Sequence, residues 1–98
     1  LIVEIAQFRL AEGVAEEDFL KEAETIQKKF LKKQSGYIDR ELFKDKDNQW
    51  ADILHWHSME EAKKAAKVLM KEPLAQKFLQ MIDPSTVKMF HLTQVKKW

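Results

Sequence analysis

Two indoles and a carboxylate alternate along one short β-rich stretch of the chain, at Trp50, Asp52 and Trp56. Because alternate side chains of a strand point to the same side, these residues and Leu54 should line one face of a sheet. Glu4 is expected on the same face of a neighbouring strand. Apolar surroundings raise the pKa of a carboxyl toward the range in which it acts as a general base. The pattern therefore predicts a pocket wall on which Asp52 or Glu4 takes a proton from a phenolic or enolic substrate.

The same residues also allow a purely structural interpretation. Asp52 could pair with Arg40 or a lysine, or accept hydrogen bonds from nearby backbone, because a buried carboxylate is costly unless it is paired. The two indoles would then belong to the core. If the pocket exists, we expect aromatic and apolar side chains from the sheet and from a covering helix to position the ligand. The predicted set is Phe8, Trp50, Leu54, Trp56, Phe78 and Met81.

Three histidines suggest either metal binding or acid–base chemistry. His55 and His57 lie two residues apart on one strand, and His91 on the last strand is a possible third ligand for a divalent metal. No carboxylate has ligand spacing with them, so we predict no metal and treat ordinary hydrogen bonding as the alternative. His91 could instead act as an acid or base beside a bound ligand, if the strand register places it on the pocket face.

Composition excludes several classes of function. Seventeen Lys and Arg against sixteen Asp and Glu give a net charge of +1 with both signs interspersed, so no nucleic-acid partner is predicted. The two glycines cannot form a glycine-rich phosphate loop. No apolar run is longer than Leu1–Val3, which argues against a membrane span. The absence of cysteine removes thiolate chemistry and favours the cytoplasm.

Hydrophobic periodicity predicts four strands and three helices in a single domain spanning residues 1–98. A polar turn joins the second and third strands as a hairpin, Ser58 and Glu61 form a capping box, and Pro73 starts a separate helix. The order β-α-β-β-α-β predicts an α+β, ferredoxin-like fold with a four-stranded antiparallel sheet. The predicted ranges are Ile2–Leu10, Ala15–Lys33, Tyr37–Lys44, Trp50–His57, Met59 to Leu69 or Met70, Pro73–Met81 and Thr86–Val95.

The second face of this sheet carries no helix and is nevertheless apolar. Val3 and Ile5 on the first strand, and Ala51 and Ile53 on the third, point to that side. An apolar sheet face left bare predicts burial against another copy of the chain. We therefore expect a homodimer in which two sheets meet face to face.

Several segments resemble the antibiotic biosynthesis monooxygenase-like superfamily, whose fold is the dimeric α+β barrel. The resemblance runs from Val3 to Val95. It depends on Phe8–Leu10 followed by the Gly13–Val14 turn, on Ser35–Tyr37 and on Trp56–Ala62, and Ile82–Val87 resembles one uncharacterised subgroup.

The resemblance carries expectations about chemistry. In haem-degrading members an Asn on the first strand, a Trp ending the third strand and a His on the second helix form the site. Trp56 matches the Trp, whereas Phe8 takes the Asn position and Pro73–Met81 contains no His. We therefore expect no cofactor, and a pocket for a small apolar or aromatic ligand, as in members that oxidise quinol-like compounds without one. The alternatives are a dimer that binds a metabolite without catalysis, as a stress-related protein would, or a structural dimer with a filled core.

Overall fold

The computed structural model describes all 98 residues, and its fold is α+β with a four-stranded antiparallel sheet. Three helices lie on one face of the sheet. The strands are β1 (Ile2–Phe8), β2 (Tyr37–Lys44), β3 (Trp50–Trp56) and β4 (Lys88–Thr93), and the helices are α1 (Glu16–Lys29), α2 (Met59–Lys71) and α3 (Pro73–Gln80). This order confirms the predicted ferredoxin-like βαββαβ arrangement. None of the helices is long and apolar enough to cross a membrane.

The sheet has the strand order β2-β3-β1-β4, so β1 and β3 are its central strands. Glu4 on β1 lies opposite Leu54 on β3 and opposite His91 on β4. Residues directly opposite each other in an antiparallel pair share a face. The pairing therefore places His91 on the helix side of the sheet, together with Glu4.

A β-bulge changes the phase of β2. Tyr37 pairs with Trp56, but the next paired residue is Asp39, which leaves Ile38 as the extra residue. A bulge shifts the alternation of all later side chains by one position. Arg40 consequently lies opposite Leu54 on the helix side, whereas strict alternation from Tyr37 would turn it to the outer face.

Element boundaries differ from the sequence prediction at several ends. α1 stops at Lys29 because Phe30 leaves the helical region (φ −124°, ψ −67°), and a 3₁₀ turn over Leu31–Lys33 follows. β4 starts only at Lys88 because Pro84–Thr86 form another 3₁₀ turn, capped by the Asp83 side chain. In both places a tight turn replaces regular structure and lets the chain change direction.

The junction between β3 and α2 is tied by a small polar cluster. The amide of Glu61 donates to Ser58 Oγ at 3.2 Å, which confirms the predicted capping box. The Glu61 carboxylate in turn accepts hydrogen bonds from the hydroxyls of Ser58 and Ser35. These two bonds lower the pKa of Glu61, so the cluster is complete only while that carboxyl is ionised.

Gly36 sits directly against this cluster, and its replacement by alanine should destabilise the fold by about 2 kcal/mol or more. Its φ is +82°, and an added Cβ would lie 2.4 Å from the Glu61 carboxylate. Gly13 is the matched control because its φ is also +82° but nothing lies within 4 Å of an added Cβ. Urea unfolding measures both losses of unfolding free energy. Because the backbone strain is common to the two variants, the difference between them is the cost of the contact with Glu61. Equal losses would show that the contact with Glu61 is unimportant.

The centre of the sheet face away from the helices is apolar and partly exposed, as expected, whereas Asp39, Glu41 and His55 are polar residues on that face. Val3, Ile5, Ala51 and Ile53 all lie there with intermediate exposure. The edge strands extend the same face with more exposed side chains, which are Phe43, Phe90 and Leu92.

Candidate ligand-binding cavity

A cavity of about 520 Å³ lies between the helix side of the sheet and the three helices. Sixteen of its 20 lining residues are hydrophobic. Its lining includes three exposed side chains, which are Met70, Met89 and Val87 at 64%, 47% and 42% exposure. The lining residues are Glu4, Ala6, Phe8, Ile26, Phe30, Leu31, Arg40, Asp52, Leu54, Trp56, Ala65, Ala66, Leu69, Met70, Phe78, Leu79, Ile82, Pro84, Val87 and Met89.

The cavity exists because α2 presents small side chains to a strand that carries large ones. Ala62, Ala65, Ala66 and Leu69 follow the i, i+3, i+4, i+7 spacing of one helix face. Ala62 and Ala65 are almost fully buried, and Ala65 and Ala66 line the cavity. The alanine stripe is the sequence signal for the space under α2, and Ala65 and Ala66 are lining residues outside the predicted set.

Arg40 and Asp52 form a buried ion pair in the cavity wall. Arg40 Nε donates to Asp52 Oδ1 at 2.8 Å, and Nη2 donates to Oδ2 at 2.7 Å. Nη1 donates to the carbonyl of Ala23 on α1 at 2.8 Å, and the guanidinium lies 5.9 Å from the centre of the Phe78 ring. The structural interpretation of Asp52, a pairing with Arg40, is thus confirmed. Both oxygens of Asp52 are engaged, so Glu4 is the better placed of the two carboxylates to receive a proton.

Glu4 is the second buried carboxylate of the wall and is bonded to His91. The distance from His91 Nε2 to Glu4 Oε1 is 3.2 Å. Burial raises the pKa of Glu4, the charge and hydrogen bond of His91 oppose that rise, and the nearby charge of Asp52 adds to it. The indole of Trp56 also favours the ionised form, although no hydrogen bond of ordinary geometry joins the two side chains. Glu4 is therefore a carboxyl in apolar surroundings whose one bonded partner is a titratable histidine.

Glu4→Gln should stabilise the protein more at neutral pH than near pH 4.5. A carboxyl with a raised folded-state pKa contributes stability fully below its ordinary value, 4.5, and loses it as the pH rises through the folded-state value. The glutamine variant lacks this loss, so its free energy of unfolding relative to wild type should increase between those two pH values. Urea unfolding across that range measures the change, with Glu60→Gln as a control for removing an exposed carboxyl. If the free energy of unfolding changes with pH in the same way for both variants, the raised pKa of Glu4 is contradicted.

Trp56 forms the floor of the cavity between Glu4 and the second strand. The side chain is 1% exposed, and its ring packs edge-on against Tyr37 at 5.7 Å between centroids. Its indole nitrogen is the one buried side-chain nitrogen or oxygen without a hydrogen-bond partner. An unsatisfied buried donor is unfavourable, and the group on which this N–H acts is the Glu4 carboxyl, whose ionised form it favours.

The structure brings most of the predicted ligand-positioning residues together, but two of them lie elsewhere. Phe8, Leu54, Trp56 and Phe78 line the cavity, whereas Trp50 and Met81 do not. Trp50 lies six positions, about 20 Å, along β3 from Trp56, and at that end of the strand its partner Phe8 lines the cavity in its place.

Trp50 and Met81 have other packing partners. Trp50 packs edge-on against Phe19 at 5.1 Å and borders a separate surface depression beside Arg9. Met81 ends α3, and its carbonyl accepts a hydrogen bond from the amide of Ala11 at 2.8 Å.

The three histidines do not converge on a metal site. His91 lies on the helix side of the sheet, whereas His55 lies on the outer face, where its Nδ1 is 2.6 Å from Asp39 Oδ1. No group of three His, Cys, Asp or Glu side chains could hold a metal ion. Because His55 and His91 lie on opposite faces of the sheet, the three histidines cannot form the metal site that was one interpretation of the sequence.

The cavity does not fit a haem held by an axial histidine. No His, Cys or Tyr is among the lining residues, and these are the ligands that hold haem iron at the proximal position in most proteins. Arg40 is the cationic residue of the wall, and it is committed to Asp52. The lining is suited instead to an uncharged apolar molecule.

Comparison with known proteins finds similarity at the level of the fold. No protein-family model matches the chain, and no curated protein matches it either. A mutant of SnoaB, a cofactor-independent oxygenase from Streptomyces nogalater, superposes with a TM-score of 0.73 at 17% identity, covering 98% of this chain and 94% of that one. A mutant of MhuD with two manganese protoporphyrin IX molecules bound per active site gives a TM-score of 0.73 at 12% identity over 100% and 98%.

A third similar structure comes from Chloroflexus aurantiacus. It is described as a putative antibiotic biosynthesis monooxygenase and superposes with a TM-score of 0.68 at 12% identity, covering 99% of this chain and 95% of that one. These similarities extend over essentially the whole chain. The protein therefore has the fold of the antibiotic biosynthesis monooxygenase-like superfamily.

Proposed function

We propose that the protein binds a small aromatic or quinol-like molecule in the cavity between sheet and helices. The observation that carries this proposal is the cavity itself, about 520 Å³ in volume and mostly hydrophobic, with two buried carboxylates in its wall. A pocket of this size with a few convergent polar groups is typical of a ligand site. Phe8, Leu54, Trp56 and Phe78 would contact the ring of the ligand.

We further propose that the bound molecule is oxidised by O₂ without a cofactor; SnoaB, which has the same fold, is a cofactor-independent oxygenase. With a phenol, one oxygen atom forms a new ring carbonyl and the other leaves as water. The two hydrogens of that water come from the phenolic O–H and the ring C–H, and the substrate supplies the electrons. Glu4, assisted by His91, would accept the phenolic proton, while Asp52 holds Arg40 in the wall.

Oxygen uptake with 1-naphthol and a panel of hydroquinones tests the catalytic proposal. Wild type should consume oxygen and form a quinone, and Glu4→Gln should consume it at least about tenfold more slowly, because general-base catalysis contributes at least that much. Asp52→Asn distinguishes the two carboxylates. If wild type, Glu4→Gln and Asp52→Asn all show the same background rate, the proposal of a catalytic carboxylate is wrong.

Binding without catalysis is the second candidate function. It is favoured by the Arg40–Asp52 pair, which engages both oxygens of one of the two carboxylates and leaves Glu4 as the one candidate base in the wall. A protein that binds 1-naphthol in the cavity but takes up no oxygen with any compound of the panel would fit this candidate. A cytoplasmic location stays a prediction from composition.

We also propose that the protein is a homodimer whose two sheets pack face to face. The outer face supports this because Phe43, Phe90 and Leu92 are 48%, 41% and 49% exposed beside the apolar centre of the sheet. Isolated apolar side chains are common on surfaces, but apolar side chains on all four strands of one sheet face are typical of an interface, and the polar Asp39, Glu41 and His55 lie on the same face toward β2. Sedimentation at micromolar concentration should give a dimer, and Phe90→Lys should shift it toward monomer. A wild-type monomer would contradict the proposal.

A further inference from the structure

Two bonded side chains connect the cavity to the edge strand β4. Glu4 on β1 lines the cavity, and its Oε1 lies 3.2 Å from Nε2 of His91 on β4. His91 itself is not a lining residue, and β4 forms one edge of the sheet. The pair therefore joins the cavity wall to the outside of the molecule at a place other than the cavity opening.

The two outer atoms of this pair are both accessible. The second oxygen of Glu4 and Nδ1 of His91 make no hydrogen bond in the protein, and neither is a buried atom without a partner, a condition met by the indole nitrogen of Trp56 alone. The side chain of His91 is 20% exposed, against 11% for that of Glu4. The free carboxylate oxygen therefore borders the cavity that Glu4 lines, and Nδ1 of the imidazole contacts solvent.

The proposed deprotonation requires a path by which the proton leaves Glu4. In water a carboxyl binds a proton about six pKa units more weakly than a phenol does, so a proton held on a carboxylate returns readily to the phenolate. Burial raises the pKa of Glu4 and narrows this difference. An imidazole binds a proton about two pKa units more tightly than a carboxyl, and a histidine in contact with water passes it on. His91 therefore has the chemistry and the position of the next acceptor.

No other ionisable side chain of the wall provides a competing path. The charged lining residues besides Glu4 are Asp52 and Arg40, which are joined to each other by two hydrogen bonds. The lining residues that α1, α2 and α3 contribute are all apolar. A proton on Glu4 therefore has one bonded acceptor in the protein, which is His91.

We propose that His91 is a proton relay that transfers the proton of the substrate from Glu4 to solvent at the β4 edge of the sheet. This inference rests on the proposed function, since it requires Glu4 to take a proton from the ligand. The free oxygen of Glu4 accepts the proton, and rotation of the carboxyl presents it to Nε2. The resulting imidazolium loses a proton from Nδ1 to water, so both side chains regain their starting charges. The reverse path returns one proton when the second oxygen atom of O₂ leaves as water.

Oxygen uptake with 1-naphthol by His91→Gln and His91→Ala tests the relay. Glutamine keeps an N–H that donates to Glu4 but cannot carry a proton, so kcat should fall at least about tenfold while KM stays within about twofold of wild type. Alanine should cause a similar loss and leave room for free imidazole, whose neutral form accepts the proton from Glu4. Added imidazole should therefore raise kcat of His91→Ala at least several-fold and leave His91→Gln and wild type unchanged.

His55→Ala is the matched control for these variants. His55 is also a strand histidine beside a carboxylate, since its Nδ1 lies 2.6 Å from Asp39 Oδ1, but it lies on the outer face of the sheet. Its kcat should equal that of wild type with and without imidazole. Equilibrium dialysis of naphthalene shows whether each variant keeps the cavity.

The possible results separate the relay from the proposed function. If wild type takes up no oxygen, the catalytic proposal and the relay are overturned together. If wild type is active and His91→Gln keeps kcat within about twofold of it, the relay is overturned and the catalytic proposal stands. A slow His91→Ala that binds naphthalene normally but does not respond to imidazole also overturns the relay, because His91 then only holds Glu4 in place. If His91→Ala loses naphthalene binding, the kcat of His91→Gln decides.

Discussion

Replacing Arg40 by leucine should lower the free energy of unfolding by about 3–5 kcal/mol, because the Asp52 carboxylate would remain buried without its partner. Both side chains of the pair are 8% exposed, so solvent cannot compensate for the lost guanidinium. Leucine also cannot make the hydrogen bond to the Ala23 carbonyl that links β2 to α1. Urea unfolding of purified wild type and variant measures the loss.

Two further variants show whether the buried charge is the cause. Arg40→Leu combined with Asp52→Leu should recover most of the lost stability, because an apolar pair of similar size replaces a buried ion pair at little cost. Lys44→Leu removes the lysine of the more exposed pair with Glu16, whose side chains are 36% and 49% exposed, and should cost much less. If Arg40→Leu lowers the free energy of unfolding no more than Lys44→Leu does, the claim that the buried Arg40–Asp52 pair stabilises the cavity wall is contradicted.

Ala66→Phe should abolish ligand binding without unfolding the protein. Ala66 lines the cavity from α2, so a phenyl ring at this position extends into the empty space. The affinity for naphthalene should fall by at least about tenfold, and filling a cavity commonly adds about 0.5–2 kcal/mol to stability. Equilibrium dialysis and urea unfolding measure the two effects on the same preparation.

Val68→Phe is the matched control for this substitution. Val68 lies on the same helix but is 42% exposed and does not line the cavity. It should leave naphthalene binding within about twofold of wild type, a free-energy difference of about 0.4 kcal/mol. If both variants lose binding equally, a large substitution anywhere on α2 weakens binding, whether or not it fills the cavity.

The fold could be predicted from the sequence because its signals are local. Alternating apolar residues marked β1 and β3, and the capping box at Ser58 and Glu61 placed the start of α2 at the observed residue. Helix ends were less accurate, since the departure of Phe30 from helical geometry depends on how it packs after α1. Periodicity indicates which residues belong to an element, whereas tertiary contacts decide where the element stops.

The position of Arg40 could not be predicted in the same way. Its inward orientation depends on the bulge between Tyr37 and Asp39, which shifts the alternation of β2 by one residue. A bulge is a property of strand pairing and has no reliable signal in one sequence. The sequence allowed the pairing of Asp52 with Arg40 but could not show that the pair lies in the cavity wall.

The cavity itself also required the structure. Its volume is the difference between the space that four strands and three helices enclose and the side chains that fill it. Trp50 and Trp56 share a face, as the sequence predicted, but only Trp56 borders the empty region, whereas Trp50 packs against Phe19. The sequence therefore predicted which residues share a face of the sheet and how far apart they lie, but it did not predict the empty volume beside them.

A crystal structure of the protein with 1-naphthol tests the central claim most directly. We expect the naphthalene ring in the cavity between Trp56 and Phe78, with its hydroxyl oxygen within hydrogen-bonding distance of a Glu4 carboxylate oxygen. The Arg40–Asp52 pair should be unchanged in that complex. A cavity closed by repacked side chains, or a ring bound only outside it, would contradict the claim that this space is a ligand site.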